Sequence, residues 1–373
     1  ALLGLDYAVA GETISSVKNN VAFESIKYVS EPVVTIAVEP KHPKDLPKLV
    51  EALRKITVED PNLIVKINEE TGETLMAGMG VLHLEIATSL LQEANLEIST
   101  SQPLINYRET IRSPAGPIMS KSPNRHNKLF MRVEPLEENV IEMIKTGQIR
   151  EDMDKKELAR ILREKGWSAD QARNVSAIDP SGNMLIDETK GVQFIQESMD
   201  SIKSGFDDVV HSGGLAHETL RGVKFILHHF VPHEDPAHRG LAQLMPATRR
   251  AMLGSMLIAD PVLLEPILGI EVKCPQEQIG TVAGILSGRR GKLLNVDQKG
   301  VISIMLGEVP ASETFDLSEA MRGGTAGKAM WSTYFKNWQS VPQSVIKNLV
   351  TDIRKRKGLN PEPPNPDEFI DKE

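Results

Sequence analysis

The order strand–helix–strand–strand–helix–strand appears twice in this 373-residue sequence, once toward each end, and no other feature restricts the fold as strongly. In the first copy Val34, Ile36 and Val38 alternate as a half-buried strand does. Leu46, Leu49, Val50, Leu53 and Ile56 then recur at helical spacing and place one apolar stripe on a helix. Leu63, Val65 and Ile67 alternate again, residues 69–72 supply a polar turn ending in Gly, a second helix is expected over 80–94, and 96–100 closes the unit. In the second copy Leu268, Ile270 and Val272 form a strand, and Pro275 opens a helix in its first turn, where a missing N–H costs nothing. Ile279, Val282, Ala283 and Leu286 give that helix its apolar face. Strands at 292–296 and 301–306, a short helix at 317–321 and a strand at 329–335 complete the set. This βαββαβ order is the split, ferredoxin-like arrangement. The expected class is therefore α+β and multidomain, with two ferredoxin-like domains flanking a mixed α/β middle.

The middle has no such repeat. Residues 107–132 have strand character interrupted by a polar, Pro-containing loop, and 137–200 are acidic and read as largely helical, with Leu158, Ile161 and Leu162 as a stripe. A strand over 223–230 runs into a His- and Pro-rich loop, and 242–257 reads as a long helix. The tail, 361–373, is Pro-rich and acidic, a composition that predicts an extended or disordered segment rather than a packed one.

Composition narrows the function classes. A single cysteine, Cys274, excludes an intramolecular disulfide framework and a cysteine-based zinc site, and a reducing cytoplasm is expected. No apolar run is long enough to span a bilayer; the most apolar stretch, 252–268, is broken by Gly254, Asp260, Pro261, Glu265 and Pro266. A formal charge of -8 argues against nucleic-acid binding by the bulk of the surface and leaves room for a local basic one. The sequence starts at Ala1 without a methionine, and its Gly-punctuated apolar first ten residues resemble a strand cut from a preceding domain, so a fragment is expected.

Three groups of residues invite a chemical reading. Six of the nine histidines, His211, His217, His228, His229, His233 and His238, fall in one short stretch. A metal site, with Glu234 and Asp235 as extra ligands, is one reading; an ordinary loop and a loop with one special histidine are the others. Spacing does not favour a metal, because His228 and His229 would point to opposite faces of a strand and the His229/His233 pair has Pro232 inside it. The Gly-rich run 323–328 resembles a Walker A loop, but Arg322 stands where its first Gly is needed and Ala329 replaces the hydroxyl that would hold magnesium. The run 287–292 fails in the same way, so neither is a nucleotide site. The loop 120–128 carries Lys121, Arg125 and Lys128 with no acid, beside Ser and Asn side chains that can bond sugars and bases. A solvated surface loop is the ordinary reading of such a short charge run; its contrast with an acidic chain favours RNA. No nucleophile–base pair or paired catalytic carboxylates stand in a defensible setting, so no catalytic residue is assigned.

Four segments together resemble elongation factor 2 of the archaeal type, a family related to bacterial elongation factor G. Residues 77–85 (AGMGVLHLE) resemble the signature of the family's third domain, 120–128 (SKSPNRHNK) the first tip loop of domain IV, 233–240 (HEDPAHRG) the second tip loop, and 355–359 (KRKGL) the C-terminal helix. Leu241 and Ala242 depart from the small residues that many members carry there. The resemblance implies a remnant of a domain II β-barrel at 1–22, domain III at 23–102, domain IV at 103–265 with tip loops 120–128 and 233–243, domain V at 266–340, and a C-terminal helix and tail at 341–373. It implies the ribosome-binding part of the GTP-dependent translocase of protein synthesis, whose domain IV enters the A site at the decoding centre beside tRNA and mRNA. GTP and Mg then belong to a G domain absent here, and this fragment needs no cofactor and no metal. His238 matches the position of the diphthamide modification, and diphthamide-synthesis enzymes become partners. Lys121, Asn124, Arg125, His126, Lys128, Asp235, Arg239, Arg289 and Arg290 are the implied contacts to ribosomal RNA. A cytoplasmic monomer without membrane contact is expected. The rivals are a stand-alone RNA-binding protein and a histidine-rich metal-binding protein.

Overall fold

The computed structural model describes residues 13–16, 31–67, 74–94 and 96–371. The turn expected at 69–72 lies outside the described residues, as does the expected domain II remnant apart from 13–16, which form neither helix nor strand. The chain divides into two compact units, one of residues 1–106 and 265–339, the other of 107–264 and 340–373.

The first repeat folds as its pattern dictates. Strands β1 (Val34–Pro40), β2 (Ile64–Ile67), β3 (Thr74–Gly78) and β4 (Ile98–Thr100) pair antiparallel in the order β2-β3-β1-β4. Helices α1 (Leu46–Glu59) and α2 (Val81–Glu93) bury Leu49, Leu53, Leu84 and Leu91. Val34, Ile36 and Val38 are buried as alternation requires. The short strand β5 (Leu104–Ile105) adds to β1, so this sheet runs past residue 102. The 77–85 signature has a packing role: a Cβ on Gly78 would lie 2.8 Å from Nδ1 of His83. That nitrogen accepts the Met79 N–H, and Nε2 of His83 meets Asp60 at 2.6 Å.

In the second unit, β6 (Arg108–Ile111) precedes a five-stranded sheet of β7 (Ala115–Lys121), β8 (Lys128–Pro135), β9 (Val175–Asp179), β10 (Asn183–Asp187) and β11 (Val223–Val231), ordered β7-β8-β11-β10-β9. Helices α3 (Glu138–Lys145), α4 (Lys155–Glu164), α5 (Ala169–Arg173), α6 (Ile195–His211) and α7 (Leu241–Leu257) accompany this sheet. Leu129, Met131, Phe225 and Leu227 pack with Phe206 of α6 and Ala247 and Ala251 of α7 on one face. Ile226, Met184 and Ile186 pack with Ile141, Leu158 and Leu162 of α3 and α4 on the other. The result is a helix–sheet–helix sandwich whose central strand β11 is buried on both sides. Helix α6 crosses from β10 to the parallel strand β11, and it lies against α7 where Gly205 admits close approach: a Cβ there would come within 2.8 Å of Thr248.

The stretch 137–200, expected to be largely helical, therefore contains two strands. Both are five residues long and mostly buried, so they lack the alternation that marks a half-exposed strand. The turn between them, Asp179-Pro180-Ser181-Gly182, was the available signal. Asn183, fully buried, locks it by donating to Asp179 at 2.8 Å and to the Leu220 carbonyl at 3.0 Å.

The second repeat comprises β12 (Pro261–Pro275), α8 (Ile279–Ser287), β13 (Lys292–Lys299), β14 (Ile302–Pro310), α9 (Leu317–Gly324) and β15 (Met330–Ser340), with sheet order β13-β14-β12-β15. Its core is Ile270, Val272, Val282, Leu286, Met305, Leu317 and Met321. Pro275 ends β12 rather than opening the helix, which starts at Ile279 after a 3-10 turn. Helix α10 (Gln343–Arg356) follows and belongs to the second unit. There the Val341 N–H donates to the Leu263 carbonyl at 2.9 Å, so the chain leaves this unit and returns to it at adjacent points.

The tail was expected to be extended or disordered. Instead Phe369 packs on the core shared by the sheet, α6 and α7, and the Asp371 N–H donates to the Met119 carbonyl at 3.0 Å. Four prolines at 361, 363, 364 and 366 restrict the undocked chain, so ordering it forfeits little entropy.

Glu109 on β6 is fully buried and accepts the N–H groups of Leu215, Ala216 and Glu218 at 2.8, 2.7 and 2.9 Å. Arg354 of α10 donates to the Leu215 carbonyl of the same loop at 3.0 Å. Burial pushes the Glu109 carboxyl up to about 7, against the opposing pull of the three N–H donors. The folded chain thus holds a proton that the unfolded chain has released, and stability falls as pH rises through that range. The stability of wild type minus that of Glu109→Gln should decline by on the order of 3 kcal/mol between about pH 4 and pH 8, measured by urea unfolding across pH.

Candidate functional site

Both tip loops leave the second unit's sheet at the same end, and strand register explains why. Lys121 at the end of β7 pairs with Lys128 at the start of β8, and Lys128 pairs with Val231 at the end of β11. The loop after β7 and the loop after β11 must then emerge side by side.

Side-chain amides join them. Asn127 is fully buried; its Nδ2 donates to Ser122 Oγ at 3.0 Å and to the His238 carbonyl at 2.7 Å, and its Oδ1 accepts the His233 N–H at 2.9 Å. Nδ2 of Asn124 also donates to the His238 carbonyl, at 2.9 Å, while its Oδ1 accepts the His126 N–H at 3.1 Å. The Asn124 N–H donates to Gln243 in the first turn of α7 at 2.9 Å. One carbonyl, that of His238, is therefore held by two side-chain amides from the other loop. Arg125 turns the loop with a left-handed φ of 61° and an N–H bond to the Ser122 carbonyl at 2.7 Å.

The second loop has its own lock. Asp235 caps the short 3-10 turn Pro236–His238 by accepting the Ala237 N–H at 2.9 Å. The Arg239 guanidinium donates to the carbonyls of His233 and Glu234 at 3.0 and 2.6 Å, pairs with Glu197 of α6, and lies 4.0 Å over the Phe194 ring. These contacts leave three imidazoles at the surface. The ring centroids of His126, His233 and His238 are 4.9, 5.1 and 4.8 Å apart in pairs, and the Asp235 N–H donates to Nδ1 of His233 at 3.1 Å. His238 keeps 45% of its side-chain surface exposed, with Nε2 4.0 Å from Asp235.

The expected contact residues divide accordingly. Lys121, Asn124, Arg125, His126, Lys128, Asp235, His238 and Arg239 all lie at this end of the sheet, and Arg125 and His126 are exposed. Arg239 is only 6% exposed, and its guanidinium is engaged by Glu197 and by the His233 and Glu234 carbonyls. Asn124 and Asp235 spend their polar atoms on the loops themselves. Arg289 and Arg290 lie in the other unit and are engaged there. Arg289 pairs with Asp316 at 2.7 Å, and Arg290 is bidentate to the buried Glu265 at 2.7 and 2.9 Å and also meets Glu313 at 2.7 Å. Those carboxylates hold the Arg290 guanidinium charged, Glu265 foremost.

His228 and His229 do not point to opposite faces as strand alternation predicted. A β-bulge falls between Leu227 and His229, and a bulge sets two residues against one on the neighbouring strand. Both rings are exposed and line one cavity of about 530 Å³ with Asp170, Glu188 and Lys190. Among the described residues no group of three or more His, Cys, Asp or Glu side chains is placed to hold a metal. No described helix is long and apolar enough to cross a membrane. Sequence reasoning missed Asn127 and Glu197 as site residues; an Asn next to the first loop's His was visible, but nothing in the pattern foretold its burial.

Three family models match the chain: elongation factor G domain III over residues 29–102, domain IV over 147–260, and the elongation factor G C-terminus over 262–349. Elongation factor 2 of Cenarchaeum symbiosum is 59% identical over 373 residues, which is 100% of this chain and 51% of that protein. Elongation factor 2 of Staphylothermus marinus is 51% identical over 375 residues, 99% of this chain and 51% of that protein. For that of Sulfurisphaera tokodaii the figures are 49% over 376 residues, 99% and 51%. The chain spans about half the length of these relatives.

The geometry makes Asn127 the joint between the loops. Asn127→Ala should lower the stability of the second unit by about 2 kcal/mol, since it removes three hydrogen bonds of a buried side chain and leaves the His233 N–H without its acceptor, and should speed hydrogen exchange at the His233 amide more than at β11 amides such as Phe225.

Proposed function

The chain belongs to the elongation factor 2 family, and from that premise we propose that it is the ribosome-engaging part of a translocase, with the paired tip loops of its second unit as the contact to RNA. One observation carries this reading. In a chain of net charge -8, the exposed Arg125, with Lys121, Lys128 and three clustered imidazoles, is presented at one end of a sheet by loops tied to each other. A loop braced in this way can occupy space beside a tRNA–mRNA duplex in the A site and hinder backward slippage without bond chemistry. GTP and magnesium are assigned to a G domain of the parent protein, outside the three matched segments. The expected setting is the cytoplasm, and the expected state off the ribosome is a monomer.

His238 is the proposed diphthamide acceptor. Its ring is half exposed, Asp235 and Arg239 fix its turn, and two amides hold its carbonyl. The diphthamide-synthesis enzymes would then be partners, reaching one ordered imidazole whose backbone is fixed. The modification would add a permanent cation to the ring carbon between the nitrogens, close to RNA phosphates. His233 suits this less: its Nδ1 accepts the Asp235 N–H.

Two measurements test the reading. Replacing Lys121, Arg125 and Lys128 together by Ala should reduce the magnitude of the log-affinity versus log-salt slope for ribosome binding by roughly two to three units; an unchanged slope would overturn the tip assignment. Peptide mass spectrometry of protein from its native host should place an added mass on His238, and an increment on His233 would move the site.

A further inference from the structure

We propose that the C-terminal segment 365–371 is a latch that fixes the first tip loop where it leaves β7, a role that rests on the RNA-contact reading of that loop. The segment begins with a built stop. Asn365 accepts the Asp367 N–H at 3.1 Å, and Glu368 accepts the Asn365 N–H at 3.0 Å, forming a capping box around the 3-10 turn Pro366–Glu368. Upstream, Arg354 of α10 donates to the Asn360 carbonyl at 2.6 Å, so the approach from the helix is fixed as well.

The turn delivers Phe369 onto α7 at a place shaped to receive it. A Cβ on Gly254 would lie 2.9 Å from the Phe369 Cβ and 2.4 Å from Ile118 of β7, so the absence of a side chain at Gly254 makes the seat. Two residues later the chain runs along the outer edge of β7. The Asp371 N–H donates to the Met119 carbonyl at 3.0 Å, and the Lys121 N–H donates to the Asp371 carboxylate at 2.8 Å. Arg250 of α7 meets the same carboxylate at 3.6 Å. The last amide of β7, immediately before the loop, is thus held by a charge-assisted bond from Asp371, 250 residues away in sequence, and such bonds are stronger than neutral ones. β7 is an edge strand, and the segment covers part of an edge that would otherwise face solvent or another chain.

The latch predicts a pattern that general stability does not. In the full chain, Asp371→Ala and Phe369→Ala should each speed hydrogen exchange of the Lys121 amide by about tenfold or more, the loss of one hydrogen bond to a charged group. Amides of β11 should be unaffected, and ribosome binding should weaken by about three- to tenfold. Asp371→Asn keeps an acceptor oxygen and should retain most of the protection and affinity. Unchanged exchange at Lys121 in the two Ala variants would overturn the latch. Faster exchange with unchanged ribosome affinity would overturn its link to the tip. Wild-type protein that fails to bind ribosomes would count against the RNA-contact reading alone, because the exchange measurement does not depend on it.

Discussion

A buried side-chain amide must find partners for two donor hydrogens and an acceptor oxygen, or the folded state loses the free energy of desolvating them. Asn127 satisfies this demand only when both tip loops are in place, since Ser122 lies on its own loop and His233 and His238 lie on the other. Neither loop carries enough apolar surface to order itself. The requirement therefore makes their folding mutual, and the strand register that brings Lys121, Lys128 and Val231 level makes it attainable. The joint sets how the two loops meet, and with it the approach of His126 to His233 and His238, while Asp235 and Arg239 shape the second loop from within.

Much of the architecture was legible because half-buried elements write their burial into the sequence. Val34, Ile36 and Val38, or Leu49 and Leu53, have a wet side and a dry side, and the alternation or the stripe records which is which. The two ferredoxin-like repeats consist mainly of such elements. The centre of the second unit does not. β10 is buried almost throughout and only five residues long, so its apolar run carries no period, and its acidic neighbourhood points toward helix. The tail failed for a related reason. Its composition matches a disordered segment, yet one phenylalanine and one aspartate, each with a prepared seat, are enough to dock it.

The site was half legible. Residue types at the tip and the pairing of its loops followed from the family resemblance, but the sequence could not distinguish an arginine that faces solvent from one that holds the loop. Arg125 and Arg239 read alike as cations near histidines. Phe194 and Glu197, both distant from Arg239 in sequence, decide the difference by offering an aromatic face and a carboxylate within reach. The same holds for Arg290, whose bidentate partner Glu265 is itself buried. Charge counted along a sequence overstates the charge available to a partner whenever a carboxylate is folded against it.

The second unit is discontinuous, and the Val341–Leu263 hydrogen bond marks where its two pieces meet. During synthesis, residues 107–264 emerge well before 340–373, and chains of this size generally fold domain by domain as they are made. For that interval the groove of Ile118 and Gly254 lacks Phe369, the loop at 213–218 lacks Arg354, and the outer edge of β7 is bare. The inserted 265–339 can fold meanwhile, since its exit and re-entry points are neighbours and its strands pair largely among themselves. Order of translation thus separates the making of the tip from its completion: the loops are assembled early, and the segment that braces them arrives only after another whole sheet has been made.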